Sequence, residues 1–189
     1  MLDSVLKFFS VELNAYLQAQ TGILGDPVEL SAIVKEDGKY AIKDDHIGVS
    51  IINLEEESAT REQLPQVTYQ DGQHVVLEPP LKLNVDLMFA AHYTHYDQAI
   101  KYLSHVLTFF QARRVFTRER YASLDSKLER LVVELQRLDY EQLNQVWAFI
   151  GAKQLPSAVY RIRLVCMQEE QQSDVRPPVL NIHARVGGS

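Results

Sequence analysis

The feature that most constrains this sequence is one change of hydrophobic period between Leu81 and Phe116. Residues 81–93, LKLNVDLMFAAHY, alternate strongly apolar with mixed positions, which predicts a buried β-strand. From residue 96 onward, YDQAIKYLSHVLTFFQARRVF repeats its apolar side chains every three or four residues, which predicts an amphipathic helix. A strand that leads directly into a packed helix is a scaffold, and this block supplies no reaction chemistry.

Composition indicates a single domain with protein partners. The chain has 189 residues, 46% hydrophobic and 23% charged, which is enough for one sizeable core. A net charge of -6 argues against a nucleic-acid or anionic-membrane surface, since both favour a basic excess. Apolar runs are shorter than the roughly 20 residues of a membrane-spanning helix, and the start lacks a signal-peptide pattern. We expect a cytoplasmic chain that binds no nucleic acid and does not insert into membranes.

The remaining elements follow from the same patterns. An apolar stripe predicts a first helix that ends by Gly22. Asp139 and Gln142 form a capping-box pattern at the start of another helix, and Gly151 ends it. Short strands are predicted over four further segments, with an Asp37-Gly38 turn after the first of them: 27–34, 47–54, 75–77 and 158–167. We expect one domain over residues 1–168, followed by a polar tail or edge strand over 169–189.

Two segments are harder to assign. Residues 127–138, KLERLVVELQRL, fit a helix through Leu128, Leu131 and Leu135 and a strand through Leu131, Val133 and Leu135. Periodicity alone favours the helix. Residues 58–78 have no stable period, and an excursion of this length in a compact domain is usually functional, so we expect it to contact a neighbouring subunit.

Three segments together resemble a known family. They are the block at 81–116, the acidic NLEEE at 53–57 and LPSAVYRIRLV at 155–165. As an ordered set they resemble the tail-terminator or cap family of contractile injection systems, the phage-tail-like particles that bacteria assemble and fire. The resemblance implies an α+β fold with a mixed, mostly antiparallel central sheet flanked by about three helices. It also makes residues 127–138 a strand, and we follow it there.

The resemblance implies a structural role. A homo-hexameric ring would cap the distal end of the particle, end polymerisation of the sheath and inner tube, and anchor the last sheath ring. Head-to-tail interfaces grow into open filaments unless a component closes them, so such a tube needs a terminator. Strand addition at an exposed sheet edge would attach the sheath and leave almost no sequence motif. The chain would assemble in the cytoplasm into a particle that can be released from the cell.

An interface is predicted where the local charge changes sign. Arg113, Arg114 and Arg118 lie close together on an otherwise acidic chain. A solvated face is one explanation. The other is that Arg113 or Arg114 pairs with the acidic residues of a neighbouring subunit, which are Glu55, Glu56 and Glu57. Phe116 is the expected exposed hydrophobic anchor beside this basic segment.

No catalytic, cofactor or metal site is predicted. His92, His95 and His105 do not share one face, and no cysteine or carboxylate set completes a zinc site with them. Glycine-rich phosphate loops and hydrolase motifs are absent from the sequence. The single cysteine, Cys166, cannot form an internal disulfide and is expected to be a small core residue.

One carboxylate needs a separate explanation. Asp86 falls within the predicted central strand, so we expect it to pair with Arg161 or Arg163. The alternatives to a structural role are a small α+β ligand- or metal-binding protein, an enzyme that uses the three histidines with Asp86, and a cytoplasmic adaptor.

Overall fold

The structure is a computed structural model that describes residues 1–57, 66–70, 73–77, 81–166 and 175–176. Within these ranges lie three helices and nine strands. In chain order they are α1 (Leu2–Thr21), β1 (Val28–Leu30), β2 (His46–Glu56), β3 (Gln66–Gln70), β4 (Gln73–Leu77), β5 (Lys82–His92), α2 (Tyr96–Ala112), β6 (Val115–Thr117), β7 (Leu128–Leu135), α3 (Tyr140–Ile150), β8 (Ser157–Cys166) and β9 (Val175–Arg176).

Six strands form the central sheet, in the order β1-β2-β5-β8-β7-β6. Neighbouring strands are antiparallel except β1 and β2, which are parallel. Strands β3, β4 and β9 form a separate antiparallel sheet. The predicted α+β class, with a mixed, mostly antiparallel sheet and three helices, is confirmed.

The central position of β5 explains its long apolar sequence. Leu87 and Phe89 face one side of the sheet, Met88 and Ala90 face the other, and all four are fully buried. Each face of β5 is therefore covered, as the buried strand predicted over 81–93 requires.

Helices α1 and α2 cover the first face. Their apolar stripes pack on the strand residues Val85, Leu87 and Phe89 and form the larger core cluster. Aromatic rings fill its centre: Phe9 contacts both Phe110 and Phe116 edge-on. These contacts fix α2 across the sheet, so the strand-to-helix block does act as the scaffold.

Helix α3 and the segment at 33–42 cover part of the second face. Trp147 and Ile42 join Met88, Ala90 and Val159 in a smaller cluster. The segment passes so close to β2 that a Cβ atom on Gly48 would lie 2.5 Å from Cγ1 of Ile42. Gly48 is therefore required where this segment crosses the sheet.

The predicted helix ends are confirmed. Gly22 ends α1 with a positive φ of 68°, and Gly151 ends α3 with a φ of 74°. At the start of α3, the N–H of Gln142 donates to the Asp139 carboxylate at 2.8 Å. In return, the N–H of Asp139 donates to the side-chain oxygen of Gln142 at 3.1 Å.

One prediction in the strand regions needs correction, and an ambiguous segment is settled. The strand predicted over 27–34 ends at Leu30, because the chain leaves the sheet to form the 33–42 segment; Val34 makes only an isolated bridge to Tyr40 across the predicted turn. Residues 128–135 form β7, so the helix favoured by periodicity is wrong and the strand is confirmed. A bulge between Leu128 and Arg130 puts Leu128 and Leu131, three residues apart, on the buried face, which imitates a helical period.

The region after β2 contains a hairpin of β3 and β4, which includes the strand predicted over 75–77. The rest of the 58–78 segment, at 58–65, 71–72 and 78, and most of the 169–189 tail fall outside the described residues. The expected contact of 58–78 with a neighbouring subunit stays a prediction. None of the described helices combines the length and apolar composition needed to cross a bilayer.

Candidate assembly interface

The acidic end of β2 is held by neighbouring side chains on the sheet. Glu55 accepts a hydrogen bond from Nδ2 of Asn53 at 2.7 Å and lies 3.8 Å from the Arg161 guanidinium. Glu57 accepts a weaker hydrogen bond from Nδ2 of Asn84 at 3.3 Å. Because Glu55 remains exposed, the strand presents its carboxylate to solvent at a fixed position.

Asp86 pairs with Arg161, as predicted, and not with Arg163. The two side chains form a bidentate ion pair, with Nε to Oδ1 at 2.8 Å and Nη2 to Oδ2 at 2.9 Å. This hydrogen bonding raises the pKa of the Arg161 guanidinium above its usual value. Asn53 also donates to Oδ2 of Asp86 at 3.3 Å, and Arg163 pairs with Glu134 on β7. The pair therefore joins three strands, which is a structural use of the carboxylate.

The three predicted arginines have different surroundings. The guanidinium of Arg113 stacks over two rings of its own chain, 4.8 Å from the centre of Phe109 and 5.4 Å from that of Tyr16. Arg114 and Arg118 are exposed at the two ends of β6. Arg114 and Arg118 are thus free to contact a partner, whereas Arg113 is engaged within the chain.

Phe116 is not an exposed anchor, and that prediction is wrong. Its side chain is 0% exposed and packs against Phe8, Phe9 and Tyr121. Alternation along β6 directs Phe116 into the core and its neighbour Val115 outward, with 42% of Val115 exposed. The apolar side chain available beside the basic residues is therefore Val115.

The acidic and basic positions lie towards opposite edges of the central sheet. Glu55 is on β2 and Arg118 follows β6, with β5, β8 and β7 between these strands. Four inter-strand spacings separate β2 from β6, or about 19 Å. The two groups are therefore too far apart for an ion pair within one chain, and they remain complementary between copies.

The outer edge of β1 is closed by a residue that the sequence patterns did not single out. Asn14 of α1 is 7% exposed, and its side-chain amide forms both hydrogen bonds that a neighbouring strand would form with Val28. Its Nδ2 donates to the Val28 C=O at 2.9 Å, and its Oδ1 accepts from the Val28 N–H at 2.8 Å. The available signal was a polar residue next to Leu13 in the apolar stripe of α1. Asn14 protects this edge against strand addition.

A cleft of about 660 Å³ lies between α3 and residues 32–34. Its walls are mostly apolar and include Val34, Val146 and the highly exposed Phe149. Asp86 and Arg161 line it as well, already bonded to each other. The cleft has the size of a ligand site, but its central charged groups are engaged with one another.

The three histidines are separate. Nδ1 of His92 lies 3.0 Å from the Ile42 C=O, His95 is the N-cap residue of α2, and His105 packs against the ring of Tyr16. In the described ranges there is no cluster of three or more His, Cys, Asp or Glu side chains that could hold a metal ion.

Two solved structures have a similar fold. One is the sheath/tube terminator, in its extended state, of the extracellular contractile injection system PVC: it has a TM-score of 0.58 and 16% identity, and the match covers 95% of this chain and 63% of that one. The other is the tube-terminating cap of the anti-feeding prophage, with a TM-score of 0.58, 15% identity, and 92% and 58% coverage. This chain therefore spans about three fifths of each matched chain and has the fold class of tube terminators and caps.

The sequence itself matches the Pvc16 N-terminal domain family over residues 4–181. The chain belongs to this family, and the resemblance carried by residues 53–57, 81–116 and 155–165 is confirmed. No curated protein sequence matches the chain.

Proposed function

We propose that this chain is a structural terminator of a contractile injection system. It caps the distal end of the particle, ends polymerisation of the inner tube and sheath, and anchors the last sheath ring. The observation that carries the proposal is the shared fold with a sheath/tube terminator and a tube-terminating cap over at least 92% of this chain.

The distribution of charge on the central sheet favours the formation of a ring. Rings form through heterologous contacts, in which one surface of a subunit binds a different surface of the next. The acidic end of β2 and the basic ends of β6 provide two such surfaces on opposite sides of the molecule. Electrostatic complementarity of this kind selects the partner and sets its orientation.

The finer parts of the proposal concern number, partners and place. Six copies form the ring, which binds sheath and inner-tube subunits, and the chain acts without enzymatic activity, metal or cofactor. It assembles in the cytoplasm and then becomes part of a contractile particle. The family membership and the two matched particle components support this assignment.

Native mass and imaging test the proposal together. The purified chain is measured by light scattering, alone and after mixing with sheared tube and sheath, and the mixture is imaged in negative stain. A ring of about six subunits, or density that caps one end of the tube, supports the terminator role. A monomer that leaves both tube ends bare contradicts it.

One observation favours the competing hypothesis of a small-molecule binding protein. The cleft beside α3 has a volume of about 660 Å³ and apolar walls, which suits a drug-sized ligand. Thermal stabilisation by a ligand or metal, lost in Phe149→Ser and retained in Tyr140→Ser, would favour this function. Both aromatic residues are on α3 and highly exposed, but only Phe149 lines the cleft.

A further inference from the structure

One side of the central sheet has an open edge on β2. Strand β1 pairs only with residues 47–49 of β2, which continues to Glu56. The N–H of Glu57 donates to the Lys82 C=O beside β5, and hydrogen-bond direction alternates along an antiparallel strand. The backbone of Leu54 therefore points away from β5. It has no hydrogen-bond partner within the described ranges, and the side chain is 47% exposed. We call residues 53–55, which are centred on this backbone, the β2 edge.

The other side has an open edge on β6. The N–H of Val133 on β7 donates to the Arg114 C=O at 2.8 Å, so Arg114 and Phe116 face β7 and the backbone of Val115 faces outward. Neither the N–H nor the C=O of Val115 has a hydrogen-bond partner in the part of the chain that the structure describes. Thr117 faces outward as well, but its C=O already accepts from the N–H groups of Arg120 and Tyr121. We call Val115 and the N–H of Thr117 the β6 edge.

The two open edges run in the same direction. Four successive antiparallel pairings separate β2 from β6, and an even number of reversals leaves the two strands parallel. Rotation about a ring axis that lies along the strands preserves their direction. The β6 edge of one copy therefore reaches the β2 edge of the next as a parallel strand. It lies on the same side of β2 as β1, which pairs with β2 at residues 47–49.

The charges at the two edges are opposite. The β2 edge leads into Glu55–Glu57, whereas the β6 edge lies between the exposed Arg114 and Arg118. In a parallel pair, a residue that points at its neighbour lies level with one that points away, as Ile47 lies level with Val28. Leu54 therefore lies level with Phe116, so that its N–H and C=O meet Val115 and Thr117, and residue 56 lies level with residue 118. The glutamates and Arg118 then meet at the same end of the new strand pair, where opposite charges stabilise it.

We propose that the occupant of each edge is a second copy of this chain, with the β2 edge of one copy added in parallel to the β6 edge of the next. This inference rests on the ring-forming role proposed above and names its interface. Backbone hydrogen bonds hold the two sheets together, and the charges fix the neighbour and the direction. Because the two edges are different surfaces, the contact repeats from copy to copy, and a rotation that is a whole fraction of a turn closes it into the proposed ring.

Proline substitutions test this pairing without removing a hydrogen bond inside the sheet. Val115→Pro and Leu54→Pro each remove an outward N–H and block one edge, whereas Val115→Thr and Leu54→Thr keep it. We expect each proline variant to be a folded monomer by circular dichroism and light scattering, and each threonine variant to assemble as the wild type does. Mixing the two proline variants should give a 1:1 dimer, because each retains the edge that the other has lost.

Charge reversal provides a second test if a proline variant fails to fold. Arg118→Glu should raise the protein concentration at half-assembly at least tenfold. Arg137→Glu should not change it, because Arg137 is exposed beside α3 and lies on neither edge.

The outcomes separate this inference from the proposed function. Proline variants that assemble and cap tubes as the wild type does overturn the edge pairing and leave the terminator role intact. Variants that form normal rings but lose sheath binding show that the occupant is a sheath strand, which also overturns the inference. A wild-type chain that neither assembles nor binds tube ends overturns the proposed function itself.

Discussion

Asn14→Leu removes the side-chain amide that caps strand β1 and tests how much this one side chain contributes to the stability of the fold. Leucine keeps a similar volume but cannot hydrogen-bond with Val28, whose N–H and C=O now lie 2.8 and 2.9 Å from the amide. An unpaired buried N–H costs about 1–3 kcal/mol, and the C=O loses one bond worth about 1 kcal/mol. The C=O keeps a second donor, the Ser10 hydroxyl at 3.1 Å.

We therefore expect Asn14→Leu to lower the free energy of unfolding by about 2–3 kcal/mol, after a small gain from the added apolar surface. Urea unfolding followed by circular dichroism measures this as a fall of about 1 M in the midpoint. Gln18→Leu is the matched control, because the Gln18 amide also donates to a loop carbonyl, that of Gly25, but is exposed. We expect Gln18→Leu to lower the free energy of unfolding by less than about 1 kcal/mol.

The same variant should also expose the edge of β1. Val28 stays covered by α1 in the folded variant, but α1 opens more often once the amide hydrogen bonds are lost. Each opening makes the outward N–H and C=O of Val28 available to strands of other chains, so light scattering should rise at high protein concentration. Equal stability losses for Asn14→Leu and Gln18→Leu, with no added scattering, would refute the edge-cap explanation.

Three further outcomes follow from the packing and ionisation of the sheet. Gly48→Ala would set a Cβ 2.5 Å from Cγ1 of Ile42, so we expect a loss of about 1–3 kcal/mol in thermal unfolding; an unchanged stability would mean that the 33–42 segment moves freely. Asp86→Asn should cost about 1–3 kcal/mol, whereas Glu134→Gln, in a more exposed ion pair, should cost less than about 1 kcal/mol; similar losses would contradict the role of burial. Burial raises the pKa of Tyr160 from 10.0 to about 12, so its contribution to stability is complete below pH 10 and is lost as the pH rises towards 12. By pH 11.5 that loss is about 2 kcal/mol. Urea titrations at pH 9 and pH 11.5 should therefore show a smaller decline in the free energy of unfolding for Tyr160→Phe than for the wild type.

Local signals in the sequence were sufficient for several elements. The Asp139 capping box, the glycines that end α1 and α3, and the change of period near residue 93 depend on neighbours a few residues apart. The Asp86–Arg161 pair was also within reach, because an acidic residue in a buried strand needs a cationic partner. Sequence left Arg161 and Arg163 as alternatives, since only the register of β5 with β8 distinguishes them.

Other features could not be predicted from local patterns. The β7 bulge gave a strand the spacing of a helix, and only the resemblance to the cap family corrected it. Phe116 was assigned to the surface because it lies beside the basic residues Arg113, Arg114 and Arg118. The three-residue strand β6 turns its ring into the core instead. A short edge strand contains too few residues to show a period.

Through its resemblance to the cap family the sequence indicated the class of fold, and by itself it determined most of the helices and strands and the two segments of opposite charge. These depend on the order of apolar and charged residues along the chain, which the sequence states directly. Only the tertiary structure decided that Asn14 closes one edge, that Arg113 is engaged by its own rings, and that Glu55 and Arg118 lie on opposite sides of one sheet. Strand order and register join residues far apart in sequence, so the direction of an open edge is a property of the folded sheet.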